Sequence, residues 1–139
     1  MKLSTYQQYL QSFNGRDYDS VLEFWAPNFT CYMGDKILFG SPGELQKFYA
    51  FLHSYIDEFI QVDRFLSDDD NLFMEARVRI TAKRTMTREL IDESGFHTLT
   101  PIEEGTALDL PQIIHYHLEN GKFILANCLM AGPPAILRS

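Results

Sequence analysis

From Leu72 to Met86 the chain alternates with few breaks. Met74, Ala76, Val78, Ile80 and Ala82 face one way, and Glu75, Arg77, Arg79, Thr81 and Lys83 the other. A period of two over this length is a β-strand with one apolar and one charged face. It constrains the rest of the chain, because the apolar face needs a cover and the strand needs partners. The cover is legible upstream, where the period is helical. Tyr6, Leu10 and Phe13 fall at i, i+4 and i+7 within residues 4–14, with Tyr9 on the same flank, and Asn14-Gly15 stops that helix. Asp17 caps a second helix carrying Tyr18, Val21, Leu22 and Trp25. Ser41-Pro42-Gly43-Glu44 opens a third, with Ser41 as N-cap, Pro42 at the first helical position and Glu44 closing a capping box. Its stripe of Leu45, Phe48, Tyr49, Leu52, Ile56 and Phe59 is broad enough to lie on a sheet.

The strand partners follow from turn chemistry. Phe29–Met33 and Lys36–Phe39 read as short strands around Gly34-Asp35, and Ile60–Leu66 leads through a polar turn into the long strand. Leu108–Leu118 and Lys122–Met130 form a closing hairpin across Glu119-Asn120-Gly121. Pro111 cannot donate to a ladder and belongs at a strand start, an edge or a bulge. Residues 87–107 are polar and irregular, a polar insertion or an extended hairpin. The order is α+β: three N-terminal helices packed on one face of a curved, mostly antiparallel sheet. A chain of 139 residues makes this one domain, 1–139.

Charge and cysteine usage narrow the function classes. Nineteen acidic residues against twelve basic ones leave a net charge of -7, which argues against a nucleic-acid partner. No apolar run approaches the roughly 18 residues of a membrane span, and residues 1–8 hold no signal-peptide core. Cys31 and Cys128 form neither a CxxC pair nor a metal spacing, so reduced thiols in a cytoplasmic protein are expected. Aromatic residues reach 14%, and many fall on the helix stripes.

The element order, Asn14-Gly15-Arg16-Asp17-Tyr18-Asp19 leading to Trp25-Ala26-Pro27-Asn28-Phe29, and the Glu119-Asn120-Gly121-Lys122-Phe123 hairpin resemble the nuclear-transport-factor-2-like superfamily. Within it the chain resembles SnoaL-like polyketide cyclases, ketosteroid isomerases and scytalone dehydratases. The resemblance implies a cone with a pocket between a curled sheet and three helices, no cofactor, and a homodimer paired through the sheet. It implies little about reaction, since the fold hosts many. Tyr9 matches the oxyanion-donating tyrosine of ketosteroid isomerases, but Met33 and Ile113 stand where their two aspartic acids belong. Ala126 and Ala131 stand at about the positions of the cyclase His and Asp, and Asn14 at that of the dehydratase aspartate.

The resemblance also sets a parity in which Ile113, His115 and His117 point into the cone. On that parity His115, and less so His117, is the candidate general base or acid, with Tyr9 opposite as hydrogen-bond donor to a carbonyl. The blander reading leaves both histidines at a polar mouth. A metal is a further reading of His115-x-His117, with Asp109 or His53 as third ligand, but no second spacing supports it. His53 otherwise reads as a boundary residue of the long helix. Arg77, Arg79 and Lys83 read as a solvated or subunit-facing sheet surface. The expected ligand-binding residues are Trp25, Met33, Tyr49, Val78, Ile113, Cys128 and Met130. The expected ligand is a small, mostly apolar molecule, aromatic or polyketide-like, which is isomerised, cyclised or dehydrated by proton transfer. The alternative is a non-catalytic ligand-binding or dimerisation module.

Overall fold

The computed structural model describes residues 1–138. Two helices, α1 (Leu3–Asn14) and α2 (Tyr18–Leu22), precede strands β1 (Trp25–Met33) and β2 (Lys36–Phe39). Helix α3 (Pro42–Tyr55) leads directly into β3 (Ile56–Ser67), which turns back as β4 (Asn71–Ala82). A short α4 (Arg88–Ser94) precedes the hairpin β5 (Ala107–Glu119) and β6 (Lys122–Met130), and β7 (Ala135–Arg138) ends the order. The strands lie in one sheet as β2-β1-β6-β5-β4-β3, with β7 paired to β5. Every pairing is antiparallel except that of β1 with β6. This is the expected α+β arrangement of helices on a large, mostly antiparallel sheet. Among the described residues no helix is long and apolar enough to cross a membrane.

Local chemistry explains the elements. Ser41 Oγ accepts the Glu44 amide at 3.1 Å while Glu44 Oε2 accepts the Gly40 amide at 2.8 Å, which starts α3 on both sides of Pro42. The β5–β6 turn takes Asn120 and Gly121 through positive φ of 52° and 75°, as a two-residue hairpin demands. Pro111 sits where β5 changes partner on one edge, from β7 at residues 107–109 to β6 from residue 112 onward. No ladder N–H is needed there, and the β4–β5 register runs through it unshifted.

The structure moves several boundaries. Trp25 opens β1 instead of closing α2, because the Phe24 carbonyl accepts the Phe123 amide at 2.9 Å and Trp25 pairs with Phe123. Helix α3 stops at Tyr55, and Ile56 is extended (φ -127°) and fully buried as the first residue of β3. A β-branched residue fits that pleat better than a last helical turn. Phe59 therefore leaves the helix stripe and stands 54% exposed on the outer face of the sheet. Residues 87–107 contain a short helix, α4, followed by a turn-rich stretch in which Ile102 bridges back antiparallel to Met86. Thr87 caps α4 by accepting the Leu90 amide, Gly95 ends it at φ 85°, and Ile91 is fully buried beneath it. The core is heavily aromatic. Tyr6, Phe13, Phe39 and Phe123 are fully buried, and the Tyr6 and Tyr116 hydroxyls meet at 2.9 Å across the interface of α1 and β5.

Candidate functional site

Between the helices and the inner sheet face lies a cavity of about 590 Å³. Helix α1 contributes Tyr9 and Phe13, and α3 contributes Phe48, Tyr49 and Leu52. One sheet wall is built of sulfur: Cys31 and Met33 from β1 beside Cys128 and Met130 from β6. The other wall is the inward series of β5, Leu108, Leu110, Gln112, Ile114 and Tyr116, flanked by Glu58, Ile60 and Ile80. Residues 98–102, which follow α4, form part of the rim.

Six of the expected site residues line this cavity: Tyr9, Trp25, Met33, Tyr49, Cys128 and Met130. Val78 is buried on the same face without reaching it. Ile113, His115 and His117 point the other way. The register shows why. Val78 lies opposite Leu110, Ala76 opposite Gln112 and Met74 opposite Ile114, and directly opposed residues share a face. The even residues of β5 therefore face inward, and the parity taken from the resemblance is off by one. Ile113 is 41% exposed. His115 stacks on Phe73 with ring centroids 3.7 Å apart, and its Nε2 lies 2.8 Å from Asn71 Oδ1. Partial burial, then the neighbouring His117 at 4.5 Å, lowers the His115 pKa. Neither histidine reaches the cavity, so Tyr9 and His115 cannot act on one molecule inside it.

The metal reading finds no third ligand. Asp109 is held by two hydrogen bonds from Arg79, at 2.8 and 2.9 Å. His53 lies in α3, across the sheet from the His115 pair. Among the described residues no group of three or more His, Cys, Asp or Glu side chains is placed to hold an ion.

The polar groups inside are few. The Tyr9 phenol is kept protonated by burial, and Trp25 lies close enough to favour its oxygen as an acceptor. Yet Trp25 Nε1 makes no hydrogen bond, the one fully covered side-chain N or O among the described residues so left. Gln112, 5% exposed, lines the cavity. Cys31 is held as a thiol, first by Cys128 beside it and then by burial. Tyr49 is held protonated by burial and by the nearby Glu58. Glu58 is the one carboxylate on the wall, and it is hydrogen-bonded to His53. Neither Gln112 nor Glu58 stood out in the sequence. Both occupy apolar-series positions of their strands, which was the signal available.

The SnoaL-like domain family matches residues 6–126. The chain belongs to the SnoaL-like family. Solved structures agree on the fold of this SnoaL-like protein. An NTF2-like protein of unknown function from Burkholderia pseudomallei is 16% identical with a TM-score of 0.69, over 94% of this chain and 92% of that one. A SnoaL-like polyketide cyclase from Agrobacterium tumefaciens is 16% identical at 0.65, over 88% and 85%. An LEH-like epoxide hydrolase of M. tuberculosis is 8% identical at 0.66, over 92% and 80%. A comparison with the curated proteins finds no significant match.

Proposed function

We propose that this SnoaL-like protein binds a small, mostly apolar molecule in the cone cavity and acts on it by proton transfer, in an isomerisation, cyclisation or dehydration. One observation carries the reading: the cavity is closed in by rings and aliphatic side chains, and its wall is broken by only a few polar groups. At about 590 Å³ it falls within the roughly 300–1,000 Å³ typical of ligand pockets. The Tyr9 hydroxyl, backed by Trp25, supplies a donor for a carbonyl or hydroxyl oxygen, and Gln112 a donor and an acceptor. A polyketide-like or other fused-ring ligand matches this balance.

Trp25 is the chain's single tryptophan, so its fluorescence reports on the cavity alone. Titration with planar apolar ketones and phenols should change that emission and raise the melting temperature. If no member of such a set does either, the cavity is core space and the reading fails. Ligands that bind and are never turned over would make the protein a binding module.

We further propose that two copies pair through the outer sheet face. Phe73, Ile113 and Leu129 stand exposed there, beside the ion pairs Arg64–Glu75 and Arg77–Asp63. Apolar residues flanked by both charge signs suit a self-complementary twofold contact. Ile113→Lys should turn a dimer into a monomer by light scattering. A wild-type protein that is monomeric at high concentration would refute the pairing.

A further inference from the structure

Three side chains form a continuous line ending at the cavity. Tyr18 stands half-buried at the start of α2, His53 is buried in the last turn of α3, and Glu58 is the third residue of β3. The Tyr18 hydroxyl lies 2.7 Å from His53 Nδ1, and His53 Nε2 lies 2.8 Å from Glu58 Oε1. The Tyr18 hydroxyl also lies 3.3 Å from the Tyr49 carbonyl, and with the imidazole neutral one assignment satisfies both histidine contacts. Tyr18 donates its O–H to Nδ1, and Nε2–H donates to the carboxylate, so the imidazole keeps a single tautomer. Its ring is stacked on Tyr49 (5.1 Å, 17°) and Tyr18 (5.8 Å, 17°), with Phe13 edge-on at 5.6 Å. The backbone on both sides is pinned as well. Arg16 donates to the Glu58 carbonyl at 2.8 Å, and Lys83 donates to the His53 carbonyl at 2.7 Å. Arg16 does so from the left-handed region (φ 62°), which a non-glycine residue adopts only when its surroundings demand it.

This apparatus fixes one oxygen of a carboxylate that lines an otherwise apolar space. Oε1 is occupied by His53, whereas Oε2 has no partner among the described residues. That oxygen is not sealed from solvent, since the Glu58 side chain keeps 13% of its surface exposed, so it is open to accept a hydrogen from a molecule in the cavity.

We propose that Glu58 is the proton acceptor of the cavity, with His53 and Tyr18 as its positioning residues, and that the ligand is a flat, mostly apolar molecule bearing an acidic hydroxyl, a phenol or an enol. The inference rests on the cavity being a ligand site. In the step, the ligand O–H bond breaks and its electron pair stays on the ligand oxygen. The proton joins Oε2, which turns Glu58 into a carboxylic acid, and the reverse transfer restores both.

The test uses 2-naphthol, whose excited state gives up its proton to a base in contact and then emits at longer wavelength. Binding is read separately, from Trp25 quenching. Wild-type protein should bind 2-naphthol and show the naphtholate band. Glu58→Gln should keep the quenching and lose the band by roughly tenfold or more. His53→Gln should bind equally and give an intermediate band, a change that packing alone would not produce. Should Glu58→Gln fail to fold, wild-type protein labelled at its glutamate carboxyl carbons replaces it, with the Glu58 resonance expected to shift on adding 2-naphthol. Quenching with an undiminished band in Glu58→Gln, or an unmoved Glu58 resonance, overturns this inference and leaves the ligand site standing. No quenching of wild type overturns both.

Discussion

The Tyr6–Tyr116 hydroxyl pair offers a sharp test of how the helices are held on the sheet. Both rings are buried and both phenols are pushed well above their ordinary pKa by that burial, so each O–H is a neutral group with almost no water to fall back on. Replacing one tyrosine by phenylalanine keeps the ring contacts, 5.6 Å between the two centroids, and strands the other hydroxyl. An orphaned buried hydroxyl costs about 1–3 kcal/mol. For 139 residues, an unfolding entropy of about 2.1 cal/mol/K per residue gives roughly 0.3 kcal/mol per degree, so each single variant should melt about 3–10 °C lower. The two singles should differ. Tyr116 lies near the Tyr9 phenol and has a second partner within reach, whereas Tyr116 is the one hydrogen-bond partner of Tyr6. Tyr116→Phe should therefore be the more damaging change. The double variant removes both polar groups and should cost less than the sum of the singles by at least about 1 kcal/mol. Thermal and urea unfolding of the four proteins gives the coupling directly. Additive losses, or singles indistinguishable from wild type, would refute the pairing.

Other expectations follow from the same geometry. The lowered His115 pKa means that the unfolded chain binds protons more readily there. Its contribution to stability is present above the ordinary histidine value near 6.5 and lost as pH falls through the folded value. Urea midpoints should thus fall between about pH 7 and 5, and His115→Asn should flatten that slope. Leu110→Trp should fill the cavity and abolish ligand-induced stabilisation in thermal-shift assays while leaving the far-ultraviolet dichroism unchanged. Thr87→Ala and Gly95→Ala remove the two ends of α4 and should each cost about 1 kcal/mol, read as faster amide exchange at Ile91.

The fold was largely legible because its signals are local. The alternation from Met74 to Ala82, the Ser41–Glu44 cap and the Asn120-Gly121 turn each specify backbone conformation within a few residues. The site was less legible, for two physical reasons. In β5 the even residues Leu108, Leu110, Gln112, Ile114, Tyr116 and Leu118 form the more apolar series, against Ala107, Asp109, Pro111, Ile113, His115, His117 and Glu119 in the odd one. Plain alternation favours the even series as the inner face. The resemblance puts Ile113 there instead, and a one-residue slip turns every side chain over. Glu58 is hidden by a boundary. Ile56 and Phe59 continue the apolar spacing of α3, so the start of β3 looks helical, and a glutamate inside a helix reads as surface. Only the tertiary turn at Ile56 places it between Ile56 and Ile60 on the cavity side. His53 reads as a boundary residue because its partners, Tyr18 and Glu58, come from other elements.

The single parallel contact in the sheet has a bearing on how the protein is made. Strand β1 meets β6 with Cys31 opposite Ala126, 95 positions later in the chain. The antiparallel pairs β1–β2, β3–β4 and β5–β6 join strands adjacent in sequence across short turns, and close cheaply. The sulfur wall of Cys31, Met33, Cys128 and Met130 exists only once that distant pair has joined. Until then β1 and β2 form an edge fragment with the aromatic lid half in place, and the cavity has no closed side. The ligand chamber accordingly takes its shape only with the longest-range strand pairing in the sheet, and a ligand that fits it stabilises that closure by mass action.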